Sequence, residues 1–215
     1  MAAAKSSPPI FWIIAGPNGS GKSSLYGSHR DAIYGNTQIA DPARPFWIIN
    51  PDLLAQRIRS AERLTLAAAN IEAVERIEAW AEASISALQS IGIETVLSTS
   101  KYRRLVRAAK QRGFEIFLIY VILESPELNI ERVRLRVRKG GHRVPKDKIR
   151  ERWYRSIRQL PWFLDVADRA LIFDNSDELR IVGKKKGRVI QIDPSMPKLL
   201  KNAVSKLRSR TKRKR

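Results

Sequence analysis

The stretch "AGPNGSGKSS", from Ala15 to Ser24, contains the residues whose chemistry is easiest to name. Gly16, Gly21, Lys22 and Ser23 fit the spacing G-x-x-x-x-G-K-[ST], with Pro17, Asn18, Gly19 and Ser20 between them. Glycines reach backbone conformations closed to other residues, so successive amide N–H groups can turn inward around phosphate oxygens. A lysine at this place reaches the β- and γ-phosphates, and the hydroxyl after it ligates Mg²⁺. Lys22 and Ser23 are those candidates. A helix opening near Ser23 and Ser24 adds the positive end of its dipole. ATP is therefore the expected cofactor, with Mg²⁺ held at Ser23.

A phosphate bound in this way needs an acceptor if it is to be transferred. Asp52, in "IINPD", stands just past an expected strand, where a carboxylate can orient an acceptor hydroxyl. Its other open role is to cap the helix that follows. Glu94 and Thr95, in "GIETVLST", end another apolar run. A carboxylate there either meets substrate hydroxyls or lies exposed on an edge strand, since burying it without partners is costly. The run "ERVRLRVRKGGHRVPKDKIRERW" carries Arg132 and Arg136 on one helical face and Arg134 and Arg138 on another. Two or three of its arginines suffice to neutralise a transferring phosphate, with Gly140 and Gly141 as a lid hinge. His142 is either a phosphate or substrate contact or a structural hydrogen-bonding group.

These residues must be positioned by alternating strands and helices. Strands are expected at about Ile10–Ala15, through Phe46 to Ile49, at "IETVLST", at "FEIFLIYVILE" and at "RALIFDNS". The fourth is nearly continuous in its apolar residues, as in a strand buried on both faces. Helices lie between them, one running through Ile71, Val74, Ile77, Trp80, Ile85 and Leu88 with Gly92 as its stop. The expected fold is α/β: a mostly parallel five-stranded sheet with helices on both faces, plus a C-terminal hairpin around Gly183 to Gly187. Residues 8–178 form the kinase domain in this reading, 179–205 an appended hairpin and helix, and 206–215 a disordered basic tail.

Composition narrows the class. The chain has 215 residues, 41 Lys and Arg against 21 Asp and Glu, and no cysteine. Without cysteine there is no disulfide or thiolate chemistry, which suits a reducing cytoplasm, the expected location. "MAAAKSSPPIFWIIAG" lacks the form of a secretory signal, and no run is long enough to span a bilayer. No L-S-G-G-Q segment of a transporter ATPase is present. The net charge of +20 attracts polyanions, and the tail "KLRSRTKRKR" is a candidate for non-specific nucleic-acid binding or for simple solubilisation.

Taken together, "AGPNGSGKSS", "INPD", "IETVLST", "ILESPELNIERVRLRV", "RKGGHRVPKDKIRERW" and "ADRALIFDNS" occur in the order found in the zeta toxin family, and the chain resembles its short, single-domain bacterial members. The resemblance implies a P-loop kinase that uses ATP and Mg²⁺ to phosphorylate a sugar hydroxyl of UDP-N-acetylglucosamine. It also implies an antitoxin partner that obstructs the nucleotide site. It assigns Asp52 as the catalytic carboxylate and Glu94 with Thr95 to the substrate. Arg136 and Arg152 become the lid arginines, with Arg138 competing for the first place. Asn175, within Asp174-Asn175-Ser176, falls near the nucleotide base. The sequence departs from the family at Val96, where E-T-T-L-S is commoner, and in its basic C-terminal segment. Two alternatives stay open: a kinase of a nucleoside or nucleic-acid 5′ end, and a nucleic-acid-binding protein that uses ATP as a switch.

Overall fold

A computed structural model of the chain describes residues 7–28, 48–141 and 143–212, with side chains except those of 26–28 and 206–212. Strand β1 (Ile10–Ala15) leads through the glycine loop into helix α1 (Lys22–Ser28). Then come β2 (Ile48–Ile49), α2 (Pro51–Glu62), α3 (Leu66–Ser86), β3 (Ile91–Thr95) and α4 (Arg103–Gln111). The chain continues through β4 (Glu115–Ile122), α5 (Pro126–Arg138), α6 (Lys146–Val166), β5 (Arg169–Asp174), β6 (Arg180–Lys186), β7 (Val189–Ile192) and α7 (Lys198–Lys212).

The strands form one seven-stranded sheet in the order β2-β3-β1-β4-β5-β6-β7. The first five are parallel, so their carboxyl ends share one edge of the sheet. Alternation along each central strand sends side chains to two separate cores. Phe11, Ile13, Leu118 and Tyr120 join the larger one, beneath α3, α4 and α6. Trp12, Ile14, Phe117 and Ile119 join the smaller one, which includes Leu25 of α1.

Several expectations shift. Gly92 does not stop α3: the helix ends at Ser86, and Gly92 is a strand residue in register with Trp12. Helix α6, for which the run "KDKIRERWYRSIRQL" predicts an end at Leu160, carries Pro161 within it as far as Val166. A proline lacks the amide donor of a helix interior, but the apolar face containing Leu160, Phe163 and Leu164 is buried in the larger core and keeps the helix going. The hairpin extends the main sheet, because β6 pairs antiparallel with β5. Helix α7 is seated on α6, with Leu200 and Val204 fully buried in the larger core, and it runs through Lys212 into the segment expected as a tail. Phe46 and Trp47, expected in β2, lie outside the described residues, as does His142.

Candidate active site

The loops at the carboxyl edge of the parallel strands bring the predicted chemistry together. The glycine loop follows β1, Asn50 and Asp52 follow β2, Glu94 is the penultimate residue of β3, and Asn175 follows β5. In open α/β sheets this edge is where ligands bind.

The loop's shape depends on its glycines. Gly16 has φ +144°, and a Cβ there would lie 2.0 Å from the Val121 carbonyl oxygen. Gly21 has φ +95°, and a Cβ there would lie 2.3 Å from the Asn175 side-chain amide nitrogen. Only a residue without a side chain fits either place. The Gly16 amide donates to the Thr95 carbonyl at 3.1 Å, tying the loop to the end of β3.

Lys22 is buried, and its Nζ donates to the carbonyls of Gly16 at 2.7 Å and Pro17 at 2.9 Å. The Glu94 carboxylate lies 4.0 Å away. Burial pushes the ammonium below its ordinary pKa, against the pull first of Glu94 and then of Asp52, while the Arg136 charge adds to the lowering. Two carboxylates and an arginine therefore act electrostatically on this one ammonium.

Glu94 is 8 % exposed and well partnered. It accepts from the Ser23 hydroxyl at 3.0 Å and from the Asn50 side-chain amide at 2.8 Å. The edge-strand alternative fails because β3 lies between β2 and β1. Ser23 and Glu94 form a pair of hard oxygen donors that fits Mg²⁺, which takes one or two protein oxygens and completes its shell with phosphate and water. Among the described residues there is no cluster of three or more His, Cys, Asp or Glu that could hold a metal by itself.

The cap of α2 is Asn50, not Asp52. The Asn50 side-chain oxygen accepts from the amides of Asp52 at 2.9 Å and Leu53 at 3.2 Å. Pro51 takes the first helical position, which leaves the exposed Asp52 carboxylate out of the capping role. The Thr95 hydroxyl acts locally, accepting from the Leu97 amide at 3.0 Å. Leu97 is buried at φ +58°, a strained conformation for a branched side chain, held by the turn just after Glu94.

Two arginine-bearing helices grip the loop at Asn18. The Asn129 amide of α5 donates to the Asn18 carbonyl at 2.7 Å, and Arg152 of α6 donates to the Asn18 side-chain oxygen at 3.3 Å. Arg136 reaches the site electrostatically through Lys22. Arg138, two residues on, projects from nearly the opposite side of the helix and is exposed. Gly140 and Gly141, expected as a hinge, close the end of α5 through amides bonded to Val137 and Arg136. Asn175 donates to the Ser20 carbonyl at 2.9 Å, so its amide is a strut of the phosphate loop. Ser24 is exposed on the first turn of α1.

The residues not anticipated from sequence are Asn50, Asn129 and the Asp174 network. Asp174 accepts from the Ser176 amide and hydroxyl and from Arg180, while Arg132 of α5 donates to the Ser176 carbonyl at 2.9 Å. Only Asn50 carried a usable signal, because Asn before Pro at a helix start is a capping pattern.

A parallel α/β sheet, a glycine loop opening a helix, and a buried lysine beside a buried carboxylate define a P-loop phosphotransferase. The zeta toxin family model matches residues 2–186. The chain belongs to the zeta toxin family. An uncharacterized protein of Haemophilus influenzae (strain ATCC 51907 / DSM 11121 / KW20 / Rd) is 30% identical over 142 residues, which is 66% of this chain and 90% of that protein. Among solved structures, a chain of the AvrRxo1-ORF1:AvrRxo1-ORF2 complex with sulphate ions superposes with a TM-score of 0.68 at 16% identity. The match covers 93% of this chain and 64% of that one, so this chain spans about two thirds of its length. That complex has also been solved with ATP. The PezAT toxin–antitoxin system of Streptococcus pneumoniae gives a TM-score of 0.60 at 17% identity, covering 99% of this chain and 89% of that one. At such identities the superpositions speak for the fold.

Proposed function

We propose that the protein transfers the γ-phosphate of ATP to a hydroxyl of a small substrate, a nucleotide-sugar of the UDP-N-acetylglucosamine type. The observation that carries this reading is the buried Lys22 ammonium held by the glycine-loop carbonyls 4.0 Å from the Glu94 carboxylate, which also accepts from Ser23. A charge set of this kind serves a reaction in which negative charge moves from one oxygen to another. The glycine loop cradles the β- and γ-phosphates with its amides, and Lys22 swings from the loop carbonyls onto their oxygens. Ser23 and Glu94 would hold Mg²⁺, which when bound neutralises charge on the β- and γ-phosphates. Asp52, free of the capping role, orients the acceptor hydroxyl and takes its proton. Arg136 and Arg152 stabilise charge on the transferring group. An antitoxin protein that covers the nucleotide site belongs to the same proposal, supported by family membership.

The test is transfer of label from γ-labelled ATP to UDP-N-acetylglucosamine with Mg²⁺, using Lys22→Ala as the blank. A Lys22-dependent phosphorylated nucleotide-sugar is the expected product. Val96, which departs from the E-T-T-L-S form that the resemblance implies, favours a changed acceptor pocket as the second reading. ATP binding without that product would reject the nucleotide-sugar and direct the same assay to nucleosides and RNA 5′ ends.

A further inference from the structure

We propose that the outer face of α7 is a nucleic-acid-binding surface that grips the phosphate backbone without reading sequence. The zeta toxin match ends at residue 186. Beyond it lie ten of the chain's 41 lysines and arginines but one of its 21 acidic residues, Asp193. The kinase machinery uses none of these ten.

The fold gives this segment a fixed platform. Met196, Leu200 and Val204, four residues apart, are 3 %, 0 % and 0 % exposed and join the larger core. Met196 also fits against Gly183 of β6, where a Cβ would lie 3.0 Å from its terminal methyl. With that row turned inward, helical spacing sets positions 198, 201, 205, 208 and 212 in a second row away from it. The second row reads Lys, Lys, Ser, Arg, Lys, and Lys198 and Lys201 are exposed. It runs for about 21 Å with no acidic residue in it.

The chemistry favours nucleic acid over membrane. A helix that enters a lipid interface must offer its apolar face to the bilayer. Here that face is buried against the core, and among the side chains described on α7 only Leu199 is at once large, apolar and exposed. What remains is a row of four cations interrupted only by Ser205, matched to a polyanion whose phosphates repeat every few ångströms. A discontinuous acidic protein patch has no such regularity.

The experiment measures binding of a labelled single-stranded RNA of about twenty nucleotides, without ATP, between about 50 and 200 mM salt. Leaving ATP out makes the outcome independent of the kinase reading. Four backbone contacts on a single strand predict a log–log salt slope of about −3 and a roughly fifty-fold loss of affinity across that range. Replacing Lys198, Lys201, Arg208 and Lys212 together by Gln should make the slope shallower by about 3, with the thermal melt checking the fold. If that variant does not fold, Lys198→Gln with Lys201→Gln alone should remove about half of that slope. No binding at the lower salt, or an unchanged slope in the folded variant, overturns the proposal. So does tighter, equally substitution-sensitive binding to phosphatidylserine vesicles, which would assign the face to a membrane.

Discussion

At the scale of single residues, the structure holds one carboxylate in hydrogen bonds and leaves another exposed. Glu94 is held by Ser23, Asn50 and the nearby Lys22, whereas Asp52 is exposed and relieved of capping by Asn50. Asp52→Asn should therefore lower kcat by about 10²- to 10⁴-fold while ATP affinity stays unchanged, as read by single-turnover transfer and equilibrium binding. Intact transfer in that variant would remove Asp52 from the mechanism. Lys22 makes a separate prediction about pH. Its folded pKa lies below the ordinary 10.5, so between the two values the unfolded chain binds the larger share of protons and stability rises with pH. The burial cost is fully present below the folded value and gone above 10.5. The parent should therefore gain stability relative to Lys22→Met as pH climbs through that window in denaturant titrations. A constant gap would show that Lys22 does not titrate there.

At the scale of elements, the phosphate loop is shaped by what surrounds it as much as by its own residues. Helix α5 supports it through Asn129, whose amide reaches Asn18 across 111 positions of sequence and whose own oxygen is buried without a partner. Asn129→Ala leaves the Asn18 carbonyl buried with one fewer donor and should cost about 1–3 kcal/mol, seen as a lower melting temperature together with weaker ATP binding. Asn129→Asp, which keeps the shape but loses the donor, should fall the same way; parent-like ATP binding in it would make the contact dispensable. This is also where sequence reading reached its limit. The loop, the five parallel strands and most helices were legible because glycine spacing, apolar runs and helical periodicity are local signals. Asn129, Asn175 and Glu94 act through partners between 44 and 155 residues distant, and local patterns do not encode such pairings. The two roles left open for Asp52 could not be separated in sequence because Asn50 and Asp52 both suit a helix start and only the backbone geometry assigns the cap to Asn50.

At the scale of the whole molecule, the C-terminal hairpin and helix belong to the same folded body as the kinase site. Leu200→Ala, at a fully buried position where α7 meets the larger core, should cost about 2–5 kcal/mol, and loss of half of that or more should appear as a lowered denaturant midpoint. A near-parental midpoint would mean that α7 rests on the core without contributing to it. The strand order has a consequence for how the protein comes into being. The glycine loop is synthesised before any of its neighbours, yet its strand sits between β3 and β4, and its supports, Asn129, Arg152 and Asn175, follow 111 to 155 residues after the groups they hold. A nascent chain on the ribosome therefore displays the phosphate-binding motif long before it possesses a phosphate-binding site. The cradle is complete only once Asn175 has been made, and termination before it releases a fragment in which Lys22 has no finished pocket.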